Sequence, residues 1–320
     1  RLVVLGSGGE RLLHALAGRH RAVPLAGGDR ATRRVQDLDA IAGHRGLFPE
    51  PARHLPGALR GADLGACLRH GSRARRVHSR LPAGGGRRFP KYLTKVYGGE
   101  IGAPRHRAVN GFHLTIQPKE WVGVMGPSGS GKTTLLRMLG TLDLPTAGEI
   151  WFKGRELTQL SSKERADFRR RHLGFIFQDD RLLDALTLRE NTWLPLILAG
   201  EDPTKMQKRS DTLAALFGLD KGWHRFPRQA SGGEKQRAAA IRALIHRPDL
   251  VLADEPTGNL DSKTSRCLLS GLEMIRQESE TAILMVTHDP VAASWCDRVL
   301  FIRDGSLMTE VRRGDDRKLF

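Results

Sequence analysis

The stretch that decides the fold is Gly126-Pro127-Ser128-Gly129-Ser130-Gly131-Lys132-Thr133. Its spacing, G-x4-G-K-[ST], is that of a P-loop, in which glycines let backbone N–H groups turn inward around phosphate oxygens. Lys132 is predicted to reach the β- and γ-phosphates of a nucleotide, and Thr133 to offer its hydroxyl to Mg²⁺. An apolar run over 121–125 predicts a buried strand before the loop, and 133–139 predicts a helix whose N-terminus faces the anion.

A second apolar run, over residues 250–253, ends in the two carboxylates Asp254 and Glu255. Such a run predicts a buried parallel strand that delivers acidic side chains at the carboxyl edge of a sheet. Asp254 is predicted to hold the Mg²⁺ shell, and Glu255 to polarise the attacking water as a general base. An Asp-Glu pair alone would be explained equally well by a solvated helix start, and the P-loop favours the functional interpretation.

A serine and two glycines open an alanine-rich segment that ends before Pro248. Ser231 and Glu234 match the capping box S-x-x-E, which predicts a helix start. A well-capped helix is the simpler interpretation of this pattern. Gly232 and Gly233, however, lower helix propensity in the first turn, and they are explained if bare backbone must approach a phosphate at the positive end of the helix dipole.

With these three motifs, the chain resembles the ATP-binding subunits of ABC transporters over residues 91–320. The stretch around Ser231 is similar to the signature motif of that family, although Ala230 and Glu234 stand where Leu and Gln are usual. In the family this motif binds the γ-phosphate of ATP held by the opposite protomer. The resemblance therefore implies that Ser231 and Gly233 contact a nucleotide bound by a second copy of the chain.

The remaining motifs of the family are also present, in the usual order and spacing. The resemblance implies that Gln178 touches Mg²⁺ and senses the permease, and that His288 contacts the γ-phosphate. Asp261 matches the D-loop, and Tyr97 lies where the family places an aromatic ring that stacks on adenine. A lone histidine or tyrosine is more often structural, but the full set favours function. The predicted nucleotide-binding residues are Tyr97, Gly126, Pro127, Ser128, Gly129, Ser130, Gly131, Lys132, Thr133, Thr134, Ser231, Gly232, Gly233 and Asp261; the predicted catalytic residues are Glu255, His288 and Gln178; and the predicted Mg²⁺ ligands are Thr133, Gln178 and Asp254.

A narrower resemblance, to the bacitracin-export type of antimicrobial-peptide resistance ATPases, rests on residues 94–98, 172–179, 254–261 and 286–294. This type belongs with the macrolide-export and lipoprotein-release branch of the superfamily. The run 291–294, Val-Ala-Ala-Ser, is the most diagnostic part, because the chemistry does not require it. The resemblance implies a large permease with an extracellular domain as partner, a link through it to a sensor kinase, and a position at the cytoplasmic face of the membrane. Lipoprotein-release and cell-division types share most of these motifs, so the cargo stays open.

Composition agrees with a globular intracellular protein. The chain has 320 residues, of which 39% are hydrophobic, enough for one large core or two small ones. Cys67, Cys267 and Cys296 show no metal-binding spacing and no even disulfide framework, which favours a reducing cytosol. No stretch approaches 18 apolar residues, and the run over 193–199 is interrupted by Pro195. Any connection to a membrane is therefore expected to come through a partner.

The first 90 residues differ in composition from the rest of the chain. The net charge is +17, and residues 1–90 contain 17 Arg and no Lys against 6 acidic residues. Three interpretations compete: a disordered basic tail that touches anionic lipid or nucleic acid, a small module of strand, glycine turn and helix over 2–17, and upstream DNA translated in another frame or joined to the gene. The domain boundary is placed between 1–90, an Arg-rich segment, and 91–320, the ATP-binding domain.

The predicted fold is α/β, a P-loop NTPase nucleotide-binding domain of the ABC type with a mixed sheet core, an antiparallel β subdomain and a helical subdomain. One chain then carries only half of each composite ATP site, and ATP is expected to join two copies head to tail. A soluble ABC-type ATPase acting on nucleic acid is an alternative supported only by the basic segment, and no specific nucleic acid is expected. A non-hydrolysing regulatory partner is the other alternative, and the intact Glu255 and His288 argue against it.

Overall fold

The computed structural model describes residues 2–4, 92–98, 105–219 and 222–314. The chain divides into two compact units, and the larger contains Leu2–Val4 and the described residues from Tyr92 to Arg312. All elements below belong to this unit. The second unit consists almost wholly of residues outside the described ranges, and the turn and helix expected over 6–17 also lie outside them.

A six-stranded sheet forms the centre of the larger unit. In spatial order its strands are β12 (Ser306–Arg312), β11 (Arg298–Arg303), β5 (Trp121–Met125), β10 (Ala282–Val286), β9 (Leu250–Asp254) and β8 (Leu173–Ile176). All neighbours are parallel except the hairpin of β11 and β12, which turns at Asp304 and Gly305. Both turn residues have positive φ, 49° and 73°, as the tight hairpin predicted from Asp-Gly requires. The predicted mixed sheet is confirmed.

The antiparallel part consists of two smaller sheets. One has the order β4 (Leu114–Ile116), β1 (Leu2–Val4), β6 (Trp151–Phe152) and β7 (Arg155–Glu156), and the other pairs β2 (Leu93–Tyr97) with β3 (His106–Phe112). The run 112–116 alternates between buried and more exposed side chains as predicted, with His113 exposed. It is not one strand, however, because the chain breaks at His113 and passes from one small sheet to the other.

Seven α-helices lie within the described residues: α1 (Lys132–Leu139), α2 (Ser162–His172), α3 (Leu188–Ala199), α4 (Pro203–Leu216), α5 (Gly232–Leu244), α6 (Ser262–Glu278) and α7 (Pro290–Ala293). Pro195 lies inside α3, so it interrupts the apolar run over 193–199 without ending the helix. Proline removes one N–H donor, but α3 starts from a complete capping box between Thr187 and Glu190 and packs against α5. These contacts keep the helix continuous past Pro195.

The parallel strands β5, β10, β9 and β8 of the central sheet are buried on both faces, which explains why they are almost wholly apolar. Successive side chains of β10 enter different cores, because neighbouring residues of a strand point to opposite faces. Leu284 and Val286 pack with α1 and the antiparallel sheets, whereas Ile283 and Met285 pack with α5 and α6. The two cores hold the carboxyl ends of the parallel strands at one edge of the sheet.

The helical subdomain is built on α3 and α4. The indole N–H of Trp193 donates to the hydroxyl of Ser210 at 2.8 Å, which joins the two helices. The buried amide of Asn191 donates to the carbonyl oxygens of Leu183 and Leu186, and so fixes the segment that leads into α3. None of the helices described here is long and apolar enough to cross a bilayer.

Candidate functional site

Four neighbouring strands bring the predicted site residues to one edge of the sheet. The order β5-β10-β9-β8 is parallel throughout, and the carboxyl ends of such strands meet at a common edge. The P-loop follows β5 and His288 follows β10, while Asp254 ends β9 and Gln178 follows β8. The structure therefore brings together the four segments that the sequence predicts to form the site.

The P-loop has a backbone that only glycine tolerates at two places. Gly131 has φ 95°, and a Cβ there would lie 2.0 Å from the carbonyl oxygen of Ala108. A Cβ on Gly126 would lie 2.1 Å from the carbonyl oxygen of Ile302. The loop is thus packed tightly from outside, and α1 starts directly after it at Lys132. This is the strand, loop and helix arrangement that binds phosphate.

Lys132 is buried and folds back over the loop. Its Nζ donates to the carbonyl oxygens of Gly126 at 2.9 Å and Pro127 at 2.8 Å. The ammonium group therefore lies beside the loop that the phosphates would fill. Ser130 is also buried, and its hydroxyl has no hydrogen-bond partner within the described structure. The loop therefore holds one ammonium group that donates to its own carbonyl oxygens and one hydroxyl group with unused hydrogen-bonding capacity.

The carboxylates of Asp254 and Glu255, at the end of β9, have different neighbours. Burial raises the pKa of Asp254 above its ordinary value; a hydrogen bond with Thr133 opposes this rise, and the charge of Glu255 adds to it. Glu255 itself has a positive φ of 46°, which is uncommon for a residue other than glycine. Its Oε2 lies 2.8 Å from Nδ1 of His288, a contact that the sequence did not predict. The two predicted catalytic residues are therefore direct neighbours.

The segment that carries Gln178 is held by α5. Gln236 donates from Nε2 to the carbonyl oxygen of Phe177 at 2.9 Å, and Arg242 donates to the carbonyl oxygens of Asp180 and Arg181. Gln178 itself is exposed and lines a groove of about 380 Å³ together with Gly232 and Asn259, among others. Gln236 and Arg242 were not predicted, because nothing in a helical pattern shows which distant carbonyl oxygen a polar side chain reaches.

The predicted capping box at the start of α5 is confirmed. The hydroxyl of Ser231 accepts from the N–H of Glu234 at 3.2 Å, and the Glu234 carboxylate accepts from the N–H of Ser231 at 2.8 Å. Ser231 and Gly232 are exposed, so the free N–H groups of the first turn face solvent. Ala230, which stands where leucine is usual, is partly buried and packs against the core.

Asp261 and Tyr97 occupy the two remaining predicted positions. Asp261 caps α6, where its Oδ1 accepts from the N–H groups of Lys263 and Thr264, both at 2.9 Å. Tyr97 ends β2 with its ring 39% exposed, and its hydroxyl donates to Asp143 at 2.7 Å. Asp143 was not predicted, because it lies in a polar turn that matches no motif.

A P-loop nucleotide-binding domain is the class of protein that this fold and this site define. The family model described as ABC transporter matches residues 109–258. An uncharacterized ABC transporter ATP-binding protein of Bacillus subtilis, YvcR, is 47% identical over 71% of this chain and 88% of its own length. The bacitracin export ATP-binding protein BceA of Halalkalibacterium halodurans is 43% identical over the same shares of both chains. The chain therefore belongs to the ABC transporter ATP-binding proteins, and it is an ATPase that binds ATP.

The chain is also similar to ATP-binding proteins with other named activities and to a cassette of solved structure. The lipoprotein-releasing system ATP-binding protein LolD of Psychrobacter arcticus is 41% identical over 67% of this chain and 94% of its own length. The dimeric post-hydrolysis structure of the ATP-binding cassette MJ0796 with ADP and Pi has a TM-score of 0.66 and 36% identity, over 70% of this chain and 98% of that one. The predicted fold class is confirmed.

Proposed function

We propose that this ATPase powers a partner permease in antimicrobial-peptide export or resistance of the bacitracin-like type. The observation that carries the proposal is the segment after His288, where residues 290–293 form α7. Ala292 and Ala293 are the buried residues of this helix, and Asp289 caps it by accepting from the N–H groups of Val291 and Ala292. ATP hydrolysis does not require this helix, so the sequence of the helix indicates the branch of the family to which the chain belongs and not the chemistry of the site. The 43% identity to a bacitracin export protein supports the same branch.

The chemistry proposed for the site uses side chains that already face one another. Glu255 acts as the general base toward the attacking water, and His288 holds its carboxylate from 2.8 Å and contacts the γ-phosphate. Lys132 and the N–H groups of the P-loop hold the phosphates. A predicted Mg²⁺ fits Thr133, Asp254 and Gln178, because they offer hydroxyl, carboxylate and amide oxygens, and the partly buried Asp254 carries a raised pKa that a cation would lower. That ion would neutralise charge on the phosphate oxygens.

The proposed active form contains two copies of the chain. Ser231 and Gly233 are proposed to bind the γ-phosphate of the nucleotide held by the partner copy, with the exposed first turn of α5 supplying N–H groups. The related cassette MJ0796 is dimeric in its solved structures, which supports this arrangement. Two nucleotides would then be buried between the copies, and hydrolysis would let the two copies separate.

The proposed contact with the permease lies on the helical subdomain. Ile197 and Leu198, at the end of α3, are 52% and 71% exposed, and Leu183 before that helix is 52% exposed. Apolar side chains this exposed commonly mark a contact with another protein. Leu183 follows Asp180 by three residues, and Asp180 lines the groove that also contains Gln178, so a partner that covers Leu183 would lie close in the chain to the segment that is proposed to sense the nucleotide. This contact would hold the ATPase at the cytoplasmic face of the membrane, with a sensor kinase reached through the permease.

Lipoprotein release or macrolide export is the alternative function. The 41% identity to LolD supports lipoprotein release almost as strongly as the 43% identity to BceA supports peptide export.

All candidate site residues fall between Tyr97 and His288, so we keep 91–320 as the proposed ATP-binding domain and assign no function to 1–90. Action on nucleic acid is not proposed, since no predicted site residue depends on the basic segment.

Peptide protection tests the proposal. The chain is expressed with its cognate permease in a sensitive cell, and the inhibitory concentration of bacitracin is compared for the wild type and Glu255→Gln. Protection that is lost in Glu255→Gln supports peptide resistance powered by this site. Absence of protection, with ATPase activity retained in the purified complex, would refute the peptide cargo and favour lipoprotein release.

A further inference from the structure

We propose that Asp143 and Lys95 are positioning residues, which hold the ring of Tyr97 in place and so set the affinity for the base of the nucleotide. The inference rests on the proposed function, because it takes Tyr97 as the residue that stacks on adenine. Asp143 belongs to none of the motifs used above, and Lys95 lies in the stretch 94–98 without a role assigned to it. Both act on the nucleotide only through Tyr97.

The three side chains form a closed set of contacts. The hydroxyl of Tyr97 donates to Oδ2 of Asp143 at 2.7 Å, and Nζ of Lys95 donates to Oδ1 of the same carboxylate at 2.6 Å. The Lys95 ammonium also lies over the Tyr97 ring, 4.9 Å from its centroid. A further bond from Lys95 to the carbonyl oxygen of Leu144, at 2.7 Å, fixes the lysine itself. The ring is therefore held at its hydroxyl and over one face.

Tyr97 needs such support because of its place in the fold. It is the last residue of β2, its side chain is 39% exposed, and Gly98 directly after it turns the chain with a φ of 78°. An exposed aromatic side chain at the end of a strand samples several rotamers, and binding a base would require one of them. A platform already held in one orientation binds more tightly, because less freedom is lost on binding.

The contacts of Asp143 and its loop also connect the Tyr97 ring with the P-loop. Asp143 follows α1, the helix that begins at Lys132, and its N–H donates to the carbonyl oxygen of Arg137 at 3.2 Å. The hydroxyl of Thr146 accepts from the N–H of Val96 at 3.0 Å and so ties β2 to the same loop. The ring is thereby placed at a set position relative to the P-loop.

The protonation states suit this role. Burial alone would raise the pKa of Asp143, but the hydrogen bonds from Lys95 and Tyr97 outweigh it and hold the pKa below its usual range. Burial, together with the bond to Asp143, raises the pKa of Tyr97. The carboxylate is therefore charged and the phenol protonated throughout the neutral range, and the contact is kept.

The test distinguishes binding of the base from binding of the phosphates by comparing ADP with pyrophosphate. Calorimetric titrations with Mg²⁺ measure the dissociation constants of ADP and of pyrophosphate for the full chain and for Asp143→Ala, Lys95→Met and Tyr97→Phe. We expect Asp143→Ala and Lys95→Met each to weaken ADP binding by about three- to tenfold, while pyrophosphate binding changes by less than about twofold. The pair Tyr97→Phe and Asp143→Ala should weaken ADP binding no more than Asp143→Ala alone, since both changes remove one bond.

The matched control is Lys153→Met. Lys153 forms a lysine–aspartate bond of the same length, 2.6 Å, with Asp249, away from the site. Its removal should leave both constants unchanged. An unchanged ADP constant in Asp143→Ala, or equal losses for ADP and pyrophosphate, would overturn the inference, because equal losses mean damage to the phosphate loop. If the wild-type chain binds neither ligand, the proposed function itself fails, which is a distinct outcome.

Discussion

At the level of single residues, the backbone conformation of Glu255 helps to place the acidic side chains of the site. Its φ of 46° lies in a region that costs a residue with a side chain about 1–3 kcal/mol. The conformation is kept because its N–H donates to the carbonyl oxygen of Val286 at 2.9 Å and its carboxylate contacts His288. The strained turn ends β9 at Asp254 and directs two successive acidic side chains to the same edge.

Replacing Lys132 with alanine tests the P-loop directly. We expect Lys132→Ala to raise the dissociation constant of ATP at least about tenfold, equal to about 1.4 kcal/mol, because the only ammonium donor of the loop is lost. Equilibrium binding of a fluorescent ATP analogue measures the change. Lys163→Ala, an exposed lysine on α2, is the control and should bind normally. Equal affinity in Lys132→Ala and the wild type would remove Lys132 from the site.

Asp249 predicts a pH-dependent contribution to stability. Burial would raise its pKa, but bonds with Lys153 at 2.6 Å and His172 at 2.7 Å outweigh burial and lower it. A pKa that is lower in the folded state stabilises the fold above the ordinary pKa of about 4, and this stabilisation is lost as pH falls through the folded value. Asp249→Asn should therefore lower Tm by about 2–4 °C at pH 7.

The same comparison at low pH completes the test of Asp249. As the pH falls from about 4 through the lowered pKa of the folded state, the carboxyl group of the wild type becomes protonated, so the difference in Tm between the wild type and Asp249→Asn should shrink. Differential scanning calorimetry at pH 7 and at a falling series of pH values measures this difference. A difference that keeps its size over the whole series would show that charge at Asp249 does not contribute.

At the scale of elements, α5 combines a structural cap with a proposed ligand contact. Ser231→Ala removes the cap and should destabilise the fold by about 1 kcal/mol. ATP turnover should fall by more than this loss of stability explains, because the hydroxyl is also proposed to contact the nucleotide of the partner copy. Phosphate release at saturating ATP, together with urea unfolding, measures both effects.

The chain offers a matched control for Ser231. Ser161 caps α2 with the same capping box, formed with Glu164. Ser161→Ala should lose similar stability and keep normal turnover, since α2 begins away from the site residues. If both variants lost turnover to the same extent, the effect at Ser231 would be one of stability alone.

The exposed end of α3 predicts where the permease binds. Leu198→Asp places a charge on a side chain that is 71% exposed, so the fold should be unaffected. Co-purification with the permease should fall at least about tenfold, because a charge would have to be buried at the contact. Met308→Asp, on β12 and 63% exposed, is the matched control and should co-purify normally. Equal recovery of the permease with both variants would place the contact elsewhere.

At the scale of the whole molecule, the sequence predicts the site edge well and the connections between segments poorly. The four apolar strands before the P-loop, Gln178, Asp254 and His288 had to be parallel and adjacent, since only then do their ends meet. Each prediction came from a local pattern: an apolar run, a glycine spacing or a capping box. The structure confirms these elements, with ends that differ by a residue or so.

What the sequence did not predict depends on residues far apart in the chain. Tyr97 and Asp143 are 46 residues apart, and Phe177 and Gln236 are 59 apart, so no local periodicity relates them. The pairing of Leu2–Val4 with β4 and β6 also joins segments more than 100 residues apart. Such contacts follow from packing of the complete fold, which a single sequence does not show residue by residue.

Two copies of this chain are proposed to bind ATP between them, and Glu255 is proposed to activate the water that hydrolyses this ATP and so separates the copies. Light scattering with size-exclusion chromatography of Glu255→Gln, in Mg²⁺ with either ATP or ADP, tests both proposals at once. We expect a dimer in ATP and a monomer in ADP, with turnover lowered by about 10²–10⁴-fold. A monomer in ATP, or turnover near that of the wild type, would show that the proposed dimer or the proposed base is wrong.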